Sequence, residues 1–299
     1  MTRRVLSRPE AQAAPKAPRL TARSVIVSTL LGVSPPELPT RSLVATAELL
    51  GVAPGTTRVA ISRLVARDEL EATTDAYRLV GAPLLARQSR QVLSRRGAIR
   101  DWDGSWRTAI VNADRRPPAE RAELRHAMAA LRYGELREGV WLRPDNLPTG
   151  VLPEAETLLA DRCTLLRSRP DDPVDLAERL WDLGAWSGRA RAMQRELDRL
   201  GGRLERRHHE ALAEGFVTSA DVLRHLQADP LLPAELLPPD WPGPRLRTTY
   251  AAYDDAFKAN LADWLRTHRA SSSNRSEPAT PRPRSTTDPE PDGPSVQPF

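Results

Sequence analysis

A single cysteine, Cys163, stands in 299 residues, so no intrachain disulfide can form and no multi-cysteine metal site can be drawn. Long hydrophobic runs are also missing. The most apolar stretch, around Val25 to Leu31, falls well short of the roughly 18 residues a membrane-spanning helix needs. The opening residues MTRRVLSRPEAQAAPKAP carry no apolar signal core, and a cytoplasmic protein is expected. Reactive motifs are scarce as well: there is no Gly-rich phosphate loop, no Gly-x-Ser-x-Gly and no His-Glu-x-x-His. Cys163 sits in a candidate strand beside Leu165 and Leu166, a setting for an inert packed thiol. His208-His209-Glu210 reads as part of a solvated basic face with Arg206 and Arg207. Successive helical positions point about 100° apart, and Leu212 and Ala213 stand where a second metal ligand would be needed. No enzyme, cofactor or metal is expected.

Lysine is nearly absent, with only Lys16 and Lys258 among 44 basic residues, so arginine carries the positive charge. That charge is unevenly placed. Residues 1–100 hold 16 basic and 7 acidic side chains, whereas residues 101–299 hold 28 basic and 32 acidic ones. A locally concentrated positive field supplies the sequence-independent part of DNA affinity and makes binding salt-dependent.

Within the basic portion, residues 52–79 (VAPGTTRVAISRLVARDELEATTDAYRL) read as a helix followed by a hairpin. Thr57, Ala60, Ile61 and Leu64 recur at helical spacing and form one narrow apolar face, with Pro54 near the first turn. The opposite face carries Gly55, Arg58, Val59 and Ser62, with Arg63 and Arg67 on its flank. Small, hydroxyl and guanidinium groups let a helix approach base edges, touch phosphates and offer a bidentate contact to guanine. Leu70 and Ala72, then Tyr77 and Leu79, alternate around a Thr74-Asp75 turn, which puts Arg78 on a wing. Residues 20–31 and 41–50 supply two more helices, separated by a Pro-rich turn, SPPELPT. The expected DNA contacts are Thr56, Thr57, Arg58, Ser62, Arg63, Arg67 and Arg78.

Further along, residues 83–96 predict a basic linker helix, 105–112 a strand, 118–132 a helix, 139–143 a strand, 153–160 a short helix and 162–167 a strand. From residue 174 the pattern is helical, through Leu176, Leu180, Leu183 and Trp186 and then Met193, Leu197, Leu200 and Leu204, with a helix end expected near Gly201-Gly202. The Pro-rich stretch Asp229 to Pro244 cannot be a continuous helix or central strand. It predicts a strap that tucks Leu231, Leu232, Leu236, Leu237 and Trp241 inward.

Several blocks occur in a telling order: RVAISRLV at 58–65, WDGSWR at 102–107, YGELREGVWLRP at 133–144 and DPLLPAELLPPDWPG at 229–243. Together they resemble the PaaX family of bacterial transcriptional repressors, over about residues 20–260. The resemblance implies an α+β protein with a winged helix-turn-helix reader, a central ferredoxin-like α/β domain related in shape to Cas2 proteins, and a helical C-terminal domain. The expected divisions are a disordered arm at 1–18, the reader at 19–81, the linker helix at 82–100, the Cas2-like domain at 101–170, the helical domain at 171–269 and a disordered tail at 270–299.

What the resemblance implies for function is repression from a double-stranded DNA operator and release by an aromatic acyl-CoA, phenylacetyl-CoA in the namesake pathway. A homodimer is expected from the general geometry of operator half-sites about one helical turn apart, or a multiple of it. Arg189, Arg191, Arg195, Arg199, Arg203, Arg206 and Arg207 suit CoA phosphates or, equally, a solvated helix face. Trp241 is a candidate wall of an effector pocket. Two other readings stand beside this one: an effector-binding or protein-interaction module without sequence-specific DNA binding, and a Cas2-like metal-dependent nuclease. For the nuclease, Asn112 is a weak metal anchor at the end of the first strand and Asp114 lies close by.

Overall fold

The structure is a computed structural model and describes residues 20–112 and 117–273, the last five through their backbone alone. The expected arm at 1–18, Asp114 and most of the expected tail lie outside the described residues.

Three helices open the chain: α1 (Ala22–Leu31), α2 (Thr40–Leu49) and α3 (Pro54–Val65). A small antiparallel sheet joins them, with β1 (Glu37–Pro39), β2 (Leu70–Ala72) and β3 (Ala76–Leu79) in the order β1-β3-β2. Thr21 caps α1 and exchanges hydrogen bonds with Ser24 in a capping box, which fixes where the helix starts. Ile26, Leu30, Leu43, Ile61, Leu64, Leu70, Leu79 and Leu84 close one core beneath these elements. The Pro-rich segment expected as a turn thus contributes the third strand: Glu37 pairs with Arg78 and Leu38 with Tyr77.

Helix α4 (Ala82–Arg96) leads away from the wing and ends on Gly97 in the left-handed conformation. A second sheet follows, built from β4 (Trp106–Val111), α5 (Pro118–Ala130), β5 (Gly134–Arg137), β6 (Val140–Pro144), α6 (Pro153–Arg162) and β7 (Cys163–Ser168). Its strand order β5-β6-β4-β7, antiparallel throughout, is the ferredoxin-like arrangement of a βαββαβ chain. β5 is the strand the sequence pattern does not announce.

The remainder is helical: α7 (Pro173–Leu180), α8 (Leu183–Glu205), α9 (Ala211–Gln227) and α10 (Gly243–Ser273). Asp172 and Asp182 accept from the amides of Asp175 and Ala185 and so cap α7 and α8. Helix α8 does not end at Gly201-Gly202 as expected. Its buried stripe, Leu197, Leu200 and Leu204, runs past both glycines, and their helix penalty of about 1 kcal/mol each is outweighed by that burial. The left-handed turn that stops it comes from Arg207 (φ 60°). Helix α10 likewise extends to Ser273, so the first residues of the expected tail are helical.

Candidate nucleic-acid interface

Helix α3 spans 12 residues, about 18 Å at 1.5 Å per residue. Thr57, Ile61 and Leu64 are buried against the reader core, which leaves the other face to solvent. That face presents Gly55, Thr56, Arg58, Val59, Ser62 and Arg63, with Arg67 just beyond the helix end. The whole helix lacks an acidic residue. Pro54 sits at its first position and Ala53, the cap residue, makes no side-chain cap bond. The leading amides therefore remain available at the positive end of the helix dipole, an arrangement suited to phosphate oxygens. A Cβ on Gly55 would meet nothing within 4 Å, so packing does not demand glycine there; its small size serves whatever approaches from outside.

Arg58, Arg63 and Arg67 form no ion pair with any described residue. The hydroxyl of Ser62 donates to the carbonyl of Arg58 at 3.2 Å, one turn back, and its lone pairs still face solvent. Val59 is 51% exposed, an apolar surface of the kind that meets a thymine methyl. A groove of about 640 Å³ runs between the start of α1 and this face, lined by Thr21, Arg23, Thr56, Val59, Arg63 and Arg67 among others. The sequence patterns passed over Val59 as a contact, and over Thr21 and Arg23, which enter only through packing of α1 on α3.

Two expected contacts are corrected by this geometry. Thr57 has no exposed surface, and its hydroxyl donates to the carbonyl of Ala53 at 3.2 Å; it belongs to the apolar face its spacing indicated. Arg78 lies on the wing, half exposed, but its Nε donates to Glu37 at 2.9 Å and its Nη1 is 3.8 Å from Glu71. Both acids sit opposite it in the sheet register, so its charge is compensated within the reader.

Two of the downstream blocks are architectural. In the WDGSW block, Asp103 accepts from the amide and hydroxyl of Ser105, and the Trp102 indole donates to the carbonyl of Ser105 at 2.7 Å. Gly104 takes φ 83° at the turn and Trp106 is fully buried. In the strap, Asp229 accepts from the amide of Leu231 at 3.0 Å, while Leu231, Leu232 and Leu236 are buried. The described chain contains no helix long and apolar enough to cross a membrane.

Three family models match in sequence: PaaX-like protein over residues 21–82, PaaX protein central Cas2-like domain over 99–179, and PaaX-like protein C-terminal domain over 181–267. The chain belongs to the PaaX family. A solved structure, uncharacterized protein Rv0674 from Mycobacterium tuberculosis, is 40% identical, with 82% of this chain and 99% of that one covered and a TM-score of 0.61. No curated protein matches the chain. Membership of a PaaX family points to a transcription regulator rather than an enzyme.

Most of the other residues singled out in this PaaX-family chain find structural employment. Trp241 stacks on Trp186 (4.5 Å, 16°), whose other face stacks on His225 (4.4 Å, 18°), so it is part of a three-ring pile in the helical core and lines none of the larger cavities. Along α8, Arg199 and Arg203 pair with Glu214, Arg199 also with Glu196, and Arg191 donates to the carbonyl of Asp240. Those three cations have partners, whereas Arg189, Arg195 and Arg206 form no ion pair with any described residue. His208 and His209 sit in the turn between α8 and α9 instead of on one helical face; His209 Nδ1 lies 2.6 Å from Asn260 Oδ1. Cys163 is buried at the start of β7. Asn112 accepts from the Thr164 hydroxyl at 3.0 Å, and among the described residues no three acidic, His or Cys side chains converge on a common point.

Proposed function

We propose that this chain is a sequence-specific transcriptional repressor that reads a pseudo-palindromic operator with α3 as a homodimer and leaves it when a small-molecule effector binds. The observation that carries this reading is the outward face of α3: three arginines without acidic partners, small side chains at the helix start and no carboxylate along its length. A face of that kind places cations for phosphates and base edges with nothing to repel the backbone. Thr56, Arg58, Ser62, Arg63 and Arg67 are the contacts assigned, with Arg78 able to join only once released from Glu37.

A dimer is favoured by exposed apolar side chains of the central sheet, Ile110 on the inner strand β4 and Leu165 and Leu166 on the edge strand β7. Paired readers would sit on half-sites about one helical turn apart, or a multiple of it. The family resemblance suggests an aromatic acyl-CoA as effector.

The test is a gel-shift titration of the full chain on DNA from upstream of its own reading frame and on an unrelated fragment, at two salt concentrations, with and without phenylacetyl-CoA. A selective shift that survives roughly physiological salt supports the repressor reading. Equal, salt-labile shifts on both fragments would sink it.

A further inference from the structure

A mainly apolar cavity of about 660 Å³ lies where the reader, the linker helix and the helical domain meet. The end of α1, β1 and α2 supply one wall, α4 supplies Arg87, Gln91 and Arg95, and α9 and α10 supply the rest. Its surface is mainly aliphatic and aromatic, with Leu31, Leu38, Leu223, Phe257 and Leu261 around a volume in the range of small-molecule sites.

The charges on this wall are not equivalent. Arg95 and Lys258 both pair with Asp254, Arg224 pairs with Asp221 at 2.7 Å, and Arg266 pairs with Asp263 at 2.7 Å. Arg87 differs: it is half-buried and makes neither an ion pair nor a hydrogen bond with any described residue. Burial, and then repulsion from Arg90, Arg23 and Arg224, pull its pKa below the usual arginine value. A guanidinium held half-desolvated among like charges is costly unless an anion completes it.

We propose that this cavity binds a small monoanionic amphiphile, a carboxylate with an aromatic or aliphatic body of medium length, with its acid on Arg87 and its apolar body among Leu223, Phe257 and Leu261. One unpaired cation suits one anionic group. A CoA thioester, with several phosphates, would need more free cations than the wall offers. The inference rests on the repressor reading for its consequence, since the ligand would touch reader and helical domain at once and so favour one arrangement of the two. Occupancy changes operator affinity only as far as the ligand binds that arrangement better than the DNA-bound one.

Calorimetric titration of the full chain, without DNA, with octanoate, 4-phenylbutyrate, octanol and octanoyl-CoA separates the possibilities. Saturable binding of the two acids is expected, with octanol and octanoyl-CoA weaker by tenfold or more. Arg87→Gln should weaken the acids by about 10- to 100-fold, the range for a charge-assisted hydrogen bond, and leave octanol unchanged. Leu223→Trp, which fills the cavity instead of emptying it, should abolish binding of every compound while the thermal midpoint is retained. Acid binding indifferent to both substitutions, binding by octanoyl-CoA alone, or no binding by any compound overturns the proposal. A gel shift run beside it keeps the two readings apart: operator binding without acid binding removes the ligand site only, and acid binding without operator binding removes the repressor reading only.

Discussion

Arg247 on α10 and Asp229 at the start of the strap form a 2.7 Å ion pair with 11% and 1% of their side chains exposed. The same guanidinium donates through Nε to the carbonyl of Ser94 on α4 at 2.9 Å, and the Ser94 hydroxyl accepts from Arg132 at 2.7 Å. Three parts of the chain, linker helix, central domain and helical domain, are thus tied through one buried polar knot. Gly97, with φ 61°, lies directly under the Arg247 side chain, where a Cβ would collide with it.

Removing one member of a buried pair leaves the other charge uncompensated, at a cost of about 3–5 kcal/mol. Asp229→Asn and Arg247→Met should each lower the urea midpoint by a corresponding amount. The double variant Asp229→Asn with Arg247→Met should be less damaged than the two single losses added together, because no lone charge remains. Strict additivity would show that the two residues act separately.

His225 gives a pH dependence whose sign follows from its surroundings. Its ring is stacked on Trp186, and Nε2 donates to the Trp186 carbonyl at 3.1 Å, a bond that by itself favours the charged ring but is outweighed by burial. Burial, and then the charge of Arg189, push its pKa below the ordinary value of about 6.5. The unfolded chain therefore binds more protons than the folded one once pH falls below about 6.5, and stability declines as pH falls through that window. In urea unfolding at pH 7.5, 6.5 and 5.5, His225→Phe should show a shallower acid loss than the parent; parallel profiles would remove His225 as the cause.

Much of this architecture is legible in the residues. The buried face of α3, the Leu-rich stripe of α8 and the inward leucines of the strap all follow from spacing, because each lies in a run long enough for its period to register. β1 escapes notice because its three residues follow two prolines and end on a third, and β5 because it is four residues opened by a glycine. The compensation of Arg78 is equally hidden, since its partner Glu37 is 41 residues earlier and only the β1–β3 register brings them together. The cavity around Arg87 draws its walls from residues 28 to 266, a proximity no local pattern encodes.

Glu37 is the lever on the wing. It accepts from Arg78 at 2.9 Å and from the Thr73 hydroxyl at 3.2 Å, both on the hairpin. Glu37→Gln would free the Arg78 guanidinium and remove a negative charge from the reader. DNA affinity should rise a few-fold at low salt, and the slope of log affinity against log salt should steepen by up to about 1 if Arg78 then takes a phosphate. Exposed ion pairs contribute about 0–1 kcal/mol, so the thermal midpoint should barely move. An unchanged salt slope would leave Arg78 out of the DNA contact altogether.

The sharpest contrast available on α3 is between adjacent residues, Thr57 and Arg58, which the fold sends to opposite faces. Thr57→Val keeps the volume and shape of a fully buried side chain and loses one back-bond to Ala53, so operator affinity should be unchanged and stability altered by about 1 kcal/mol or less. Arg58→Ala removes an exposed guanidinium without an ion-pair partner; if it reads a base, operator affinity should fall by about 1–3 kcal/mol while unrelated DNA is affected much less. Arg67→Ala, at the flank beyond the helix end, should instead weaken operator and unrelated DNA alike, as a phosphate contact does. Titrating all three variants against both fragments at one salt concentration decides the orientation of α3. A large loss with Thr57→Val and none with Arg58→Ala would mean that the buried face, not the exposed one, turns toward DNA, and the assignment of the interface would fall with it.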